Sequence, residues 1–301
     1  MTIRALTMKG SVGQRVPPGT YSKITLINCK DCVIDGDDGV FLAPLPAATN
    51  NEAVIRITGS PGTDVVNLTI VGLPAKAGVS PDSKVLDKTG RVIGLPAGEA
   101  IQVYNSDNVK IRSNYIRTFH QGVTFGASRN LSITDNSIGN CRTSPIAGAA
   151  RDGLSISCNV LLGGHAWRWG FTPGDHGDAV HVWDDTPVIN GLEITDNVFD
   201  QSGGTPILGI FVQSRGGQFV DGNVSRNKII NSNGQGIVLM EFSGLADSNV
   251  LVWSKVPTYR GVTAKDAPRL DVKAGSHDLI VCHTAGPVTV AKGLINVVVR
   301  A

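Results

Sequence analysis

One phrase of alternating apolar and polar residues recurs along the chain. It reads Asn108-Val109-Lys110-Ile111-Arg112-Ser113-Asn114, then Asn130-Leu131-Ser132-Ile133-Thr134-Asp135-Asn136. It returns as Gly153-Leu154-Ser155-Ile156-Ser157-Cys158-Asn159 and Gly191-Leu192-Glu193-Ile194-Thr195-Asp196-Asn197, and a worn copy closes at Asn227. A period of two predicts a short strand buried on one face. Each copy closes on Asn, a residue that tolerates left-handed backbone and suits a tight corner. Stacked copies would place these Asn side chains in a structural ladder.

A second strand precedes each phrase. Ala100-Ile101-Gln102-Val103-Tyr104, Gly122-Val123-Thr124-Phe125, Ala179-Val180-His181-Val182-Trp183, Gly209-Ile210-Phe211-Val212-Gln213 and Gly236-Ile237-Val238-Leu239-Met240 align position for position. A small residue opens each one, and its second and fourth residues are apolar. A repeat of roughly 22 residues with short strands and no helical period is one coil of a parallel β-helix. The expected fold is therefore all-β: a single-stranded right-handed parallel β-helix (solenoid) of roughly nine to ten coils, forming one domain over residues 1–301. Residues 1–98 read as irregular N-terminal coils with an excursion at 74–96. The regular coils run over 99–256 with an insertion at 163–178, and degenerate coils follow over 257–301. No amphipathic helix caps either end, so loops, a partner subunit or a further domain are expected to cover the open strand edges.

Composition agrees with this pattern: 36 glycines, 17% charged residues and 5% aromatics suit many turns around an aliphatic core. A formal charge of +2 without a basic run argues against nucleic acid. No apolar run is long enough to span a membrane, and residues 1–14 lack a signal-peptide pattern. The five cysteines are an odd number and argue against a disulfide framework. Cys29 and Cys32 have no second pair at zinc-site spacing and read as buried thiols, although in a strand they would point to opposite faces. The run Asp35-Gly36-Asp37-Asp38-Gly39 offers carboxylates to calcium. It lacks the spacing and the Glu of a calcium loop, so a solvated turn is expected and no cofactor is assigned.

Candidate chemistry concentrates in the insertion, which holds Trp167, Arg168, Trp169, Asp175, His176 and Asp178 and feeds into His181, Trp183 and Asp184. Loops on a rigid scaffold are where function concentrates. With Val180 and Val182 inward, His181 and Trp183 face out, together with Gln102, Tyr104, Thr124, Phe211, Gln213, Val238 and Met240. Glu241 lies one step beyond. A stripe holding Tyr104, Trp183 and Phe211 needs cover in a soluble protein. A linear polysaccharide stacking on these rings, a subunit interface or the insertion itself would supply it. A transition metal on Asp175, His176, Asp178 and His181 is an alternative use of the cluster, and a hydrogen-bonded turn at Asp175, Gly177 and Asp178 is the purely structural one.

The coil pattern, the Asn corners and the loop-decorated face resemble the pectate lyase-like superfamily of right-handed parallel β-helices. That superfamily includes polysaccharide lyases, glycoside hydrolases, mannuronan C5-epimerases and phage tailspike depolymerases. Trp169-Gly170-Phe171-Thr172-Pro173-Gly174-Asp175-His176 is similar to the Tyr-Gly-Phe-Asp-Pro-His-Glu motif of the epimerases, with Trp169 in the tyrosine position and extra residues before the His. The resemblance implies a polysaccharide-acting enzyme, a lyase before a hydrolase or epimerase. The alternative is a non-catalytic glycan-binding or structural β-helix. In a lyase, His176 or His181 would take the C5 proton of a uronate, Arg168 would neutralise its carboxylate, and Asp175 or Asp178 would orient a histidine. Trp183, Tyr104, Phe211, Gln213, Trp167, Trp169, Asp184 and Glu241 would line the substrate groove. In a hydrolase, Asp175, Asp178 and Asp184 would be the candidate acids. The same resemblance implies an extracellular or virion-surface location and a homotrimer by analogy with tailspikes.

Overall fold

The computed structural model describes residues 2–75, 96–167, 175–254, 258–259, 262–263 and 266–300. Most of the excursion and the centre of the insertion, with Arg168 and Trp169, lie outside the described residues. The chain winds as a parallel β-helix whose coils deliver strands in turn to three sheets of 12, 11 and 7 strands. The coil of Glu99–Tyr104, Lys110–Arg112 and Tyr115–Arg117 gives one strand to each of these sheets in that order. The next coil begins at Gln121–Gly126, which pairs in parallel with Glu99–Tyr104. Among the described residues the pairing is parallel apart from a short antiparallel pair, Thr258–Tyr259 with Val262–Thr263.

The period-two reading locates the core. Ile101, Val103, Val123, Val180, Val182, Ile210, Val212, Ile237 and Leu239 are all buried, as are Ile111, Ile133, Ile156 and Ile194 of the repeated phrase. One apolar cluster runs from Val16 to Val281 along the interior. At the last coil Ile295 and Val299 remain 68% and 50% exposed, so the described residues leave that end apolar and open. Among the described residues no helix is long and apolar enough to cross a membrane.

The closing Asn of each phrase points inward and forms a continuous ladder. The Asn114 N–H donates to Asn136 Oδ1 at 3.0 Å, Asn136 to Asn159 at 3.0 Å, Asn159 to Asn197 at 3.0 Å, and Asn197 to Asn227 and Asn227 to Asn249 at 3.1 Å. Each Nδ2 in addition reaches a strand carbonyl of the coil before, as Asn159 does to Ile133 O at 2.8 Å. These side chains are 0–2% exposed, so the ladder satisfies corner groups that water cannot reach. The left-handed expectation for these residues needs correction. The residue before the ladder Asn is the left-handed one: Ser113, Asp135, Cys158, Asp196 and Arg226 have φ of 55–59°. The opening residues Asn108, Asn130, Gly153 and Gly191 are left-handed too. The chain thus uses the closing Asn for its amide and the opening residue for its backbone.

Cys29 and Cys32 differ from the strand expectation as well. Both lie in the core, because the left-handed Asn28 and Asp31 turn each of them inward. In the run 35–39 the carboxylates are engaged: Arg15 pairs with Asp35 at 3.0 Å and with Asp38, and Asn67 Nδ2 donates to Asp37 at 2.7 Å.

Replacing Asn159 by Ala orphans buried groups on the coils to either side. The urea midpoint should fall by the equivalent of about 1–3 kcal/mol per orphaned group, with little change in slope. Thr134→Ala, on an outward position of the same sheet, should shift stability by less than about 0.5 kcal/mol.

Candidate functional site

The small residue that opens each strand of the first sheet changes which side chains meet on its outer face. Ala100, Gly122, Ala179, Gly209 and Gly236 are buried like the apolar residues that follow them, so strict alternation fails there. A Cβ on Gly122 would lie 2.6 Å from Ile138 Cγ2, and one on Gly209 would lie 3.1 Å from Ile229 Cγ2. The residue before the small one therefore emerges on the outer side. Glu99 does so beside Thr124, and Asp178 does so beside His181.

Asp178 opens the strand Asp178–Asp184 and is fully buried. Its Oδ2 lies 3.1 Å from His176 Nδ1 and 3.2 Å from His181 Nδ1. The other ring nitrogen of His181 lies 3.0 Å from Gln213 Oε1. The His181 ring sits 5.1 Å from Trp183, edge-on, and 5.1 Å from Phe211. Burial pushes the Asp178 carboxyl up, but the hydrogen bonds and charges of the two histidines outweigh it and hold the group below its ordinary value. The hydrogen bond to Asp178 raises the His176 pKa against partial burial. Asp178 is thus an ionised floor under two imidazoles. His176 is held through Nδ1 while its side chain stays 69% exposed.

Beside this cluster a groove of about 490 Å³ runs across the first sheet towards the N-terminal coils. Tyr104 (56% exposed) and Trp183 bound it, and Gly126, Ala147 and Ala149 line the space between them. Tyr104 and Trp183 occupy one row three strands apart, roughly 14 Å at normal strand spacing. Gly148 supports this level from within: a Cβ there would lie 2.6 Å from the Phe125 ring. The groove also holds Arg56 and Glu99. Glu99 Oε2 accepts from Thr124 Oγ1 at 2.6 Å and from Gln102 Nε2 at 2.8 Å, and burial raises its pKa.

Six expected site residues are placed otherwise or lie outside the described residues. Asp175 accepts a two-pronged ion pair from Arg142, Nε to Oδ2 and Nη2 to Oδ1, both at 3.0 Å. The two side chains are 5% and 0% exposed. Burial is the larger influence on each, pushing Asp175 up and Arg142 down, and their mutual attraction opposes it. Trp167 is not a sugar platform, because it is 3% exposed and lies under the Arg142 guanidinium, 4.5 Å from the ring centre. The Trp167 backbone N–H donates to Asp175 Oδ2 at 2.8 Å, which pins the two sides of the insertion together. Asp184 caps the loop 214–217, accepting from the Arg215 N–H and from the Gly217 N–H at 2.6 Å. Glu241 has left the face: it is left-handed at φ 49°, and its carboxyl packs on Gly275. Arg168 lies outside the described residues, as does Trp169.

Asp175 and Asp178 are thus committed to different partners, so the four-residue metal set Asp175, His176, Asp178 and His181 does not assemble. Val238, expected outward, is 1% exposed. Three residues escaped the sequence reading. Arg142 has no repeat position to mark it, and Arg215 follows the aligned strand, its guanidinium 4.5 Å from the Trp183 ring centre. Glu99 precedes a small residue just as Asp178 does, a position whose side strict alternation misassigns.

The three parallel sheets, the buried ladder and the decorated outer face define a right-handed parallel β-helix protein of the pectate lyase-like superfamily. Residues 30–183, just over half of the 301-residue chain, match the family described as periplasmic copper-binding protein (NosD), and the chain belongs to that family. No curated protein matches the sequence. Among solved structures it is similar to DFA-IIIase from Arthrobacter chlorophenolicus A6 in complex with GF2, with a TM-score of 0.59 and 12% identity over 95% of this chain and 82% of that one. The same enzyme without its lid aligns with a TM-score of 0.56 and 13% identity over 95% and 83%. At such identities the likeness is one of fold.

Arg142→Ala leaves the Asp175 carboxylate buried without its guanidinium, beside the Trp167 backbone N–H and the His120 ring at 3.9 Å, and should cost about 3–5 kcal/mol in denaturant unfolding. The His176–Asp178 pair should give a pH-dependent stability with two limbs. The raised histidine contributes fully below its unfolded pKa and is lost as pH rises through its folded value. The lowered carboxyl contributes above its unfolded pKa and is lost as pH falls through its folded value. Unfolding midpoints across pH should therefore be highest between the two ranges, and His176→Ala should flatten the alkaline limb.

Proposed function

We propose that this protein acts on an acidic glycan laid along the outer face of the first sheet, and cleaves it by β-elimination. The observation that carries the reading is His176. A buried ionised carboxylate holds it through one ring nitrogen, its ring is exposed, and it stands beside an aromatic-walled groove. This is the arrangement of an oriented general base. The base takes the proton from the carbon next to the uronate carboxylate. That electron pair forms the ring double bond as the glycosidic C–O bond breaks, and the departing oxygen gains a proton. His181, tied to both Asp178 and Gln213, keeps the carboxylate in place. Arg215 stacked on Trp183 and Arg56 in the groove are cations suited to the substrate's carboxylates. Tyr104 and Trp183 offer rings for stacking sugars.

Hydrolysis has less support from these residues. Asp175 is bound to Arg142, Asp184 caps a loop, and Glu99 lies three strands from Asp178, roughly 14 Å by strand spacing. A glycosidase pair needs carboxyl groups about 5–9.5 Å apart. The family description names the periplasm, and action on a glycan outside the inner membrane agrees with that location.

Ultraviolet absorbance of unsaturated uronates should rise when the protein meets one of alginate, pectate, gellan-type or capsular polysaccharides. His176→Ala should abolish the rise with folding intact, and Asp178→Asn should slow it by on the order of 10²–10⁴-fold. Full activity in His176→Ala rules that residue out as the base. New reducing ends without absorbance would make the enzyme a hydrolase, and retained glycan binding without either product would make it a binding protein.

A further inference from the structure

A separate cluster of chemistry-bearing side chains lies on the second, 11-stranded sheet, in the C-terminal coils. The strands Phe242–Asp247 and His277–Cys282 are parallel neighbours, and their register pairs Asp247 directly with Cys282. Cys282 Sγ lies 3.1 Å from Asp247 Oδ1. The next residue, His283, is left-handed at φ 45°, and its Nδ1 lies 2.9 Å from the same oxygen. All three donor atoms lie within 4.8 Å of one another, and among the described residues this is the group of His, Cys, Asp or Glu that meets so closely.

From this geometry we propose that Asp247, Cys282 and His283 form a binding site for a borderline divalent metal ion of the Zn²⁺ type, with the fourth position open to water. The donor set of one sulfur, one nitrogen and one oxygen is the mixture that zinc takes, and three protein ligands plus an open position is a common zinc arrangement. Ligand bonds of about 2.0–2.3 Å in a tetrahedron space the donors by roughly 3.3–3.5 Å. The separations of 3.1 and 2.9 Å are short of that by only a few tenths of an ångström, a shift that side-chain rotation supplies. The backbone is already in place, because ladder hydrogen bonds fix Asp247 and Cys282 in register. The fourth position faces solvent: the His283 and Asp247 side chains are 69% and 27% exposed. Other histidine–aspartate contacts, such as His277 with Asp278 at 3.1 Å, have no sulfur donor beside them. The site is on a different sheet from the strand Asp178–Asp184 that follows His176, and it is independent of the proposed glycan chemistry.

The test uses the full chain, stripped with chelator, kept reduced and titrated with Co²⁺ alone. One Co²⁺ per chain should bind with a thiolate charge-transfer band, and Zn²⁺ should displace it. Cys282→Ser should lose the band. His283→Ala, at an exposed corner where folding is not at stake, and Asp247→Asn should weaken binding, while Cys158→Ser, an exposed thiol elsewhere on the helix, should leave it intact. Circular dichroism on each variant separates lost binding from lost fold. Absence of the band in the wild-type chain overturns the proposal. So does a band that survives Cys282→Ser, or one unaffected by both His283→Ala and Asp247→Asn, which would be a lone-thiol adduct.

Discussion

Everything in this molecule depends on the coils stacking in register, one strand spacing apart. A β-helix has no second layer to bury its backbone, so each coil satisfies the N–H and C=O groups of the next. The Asn ladder is where that constraint is sharpest. From Asn114 to Asn249 each amide bonds to the same position one coil away and to a carbonyl of the coil before. A slip of one residue would bury a polar face and expose an apolar one. The ladder and the inward isoleucines therefore specify the same register independently.

That register also builds the outer face. Because like positions stack, Tyr104, Gly126, Ala149, Trp183 and Gln213 form one row, and Thr124, Ala147, His181 and Phe211 form the next. Small residues between large ones make the groove, and a single buried carboxylate at a strand entry organises both histidines. The Arg142–Asp175 pair belongs to the same design. It ties the ends of the insertion to each other and holds His176, the neighbour of Asp175, beside Asp178. A buried ion pair of this kind contributes little net stability, but removing one partner is costly, so it acts chiefly to specify one arrangement of the insertion.

The fold was legible because period-two patterning, the roughly 22-residue repeat and the closing Asn are each local signals that stacking merely multiplies. The site was legible only in part. His176, Asp178, His181, Trp183, Phe211, Gln213 and Tyr104 belong to one insertion and one aligned face, and they share the outer side of the first sheet. Trp167, Asp175, Asp184 and Glu241 belong to the same neighbourhood but serve as packing, ion pair, loop cap and corner. Composition marks a segment as unusual, but it cannot say which of its polar groups the protein consumes internally.

From the sequence alone came the architecture: parallel coils, an aliphatic core, an amide ladder and an outward aromatic stripe, because these follow from repeating short-range patterns. Only the tertiary structure decided which side of the sheet Asp178 and Glu99 occupy, since a buried small residue at each strand entry interrupts the alternation that sequence reasoning extrapolates. It alone paired Arg142 with Asp175, Arg215 with Trp183, and Asp247 with Cys282 and His283. Those contacts join residues more than thirty positions apart, and no local pattern encodes a partner that arrives one coil later.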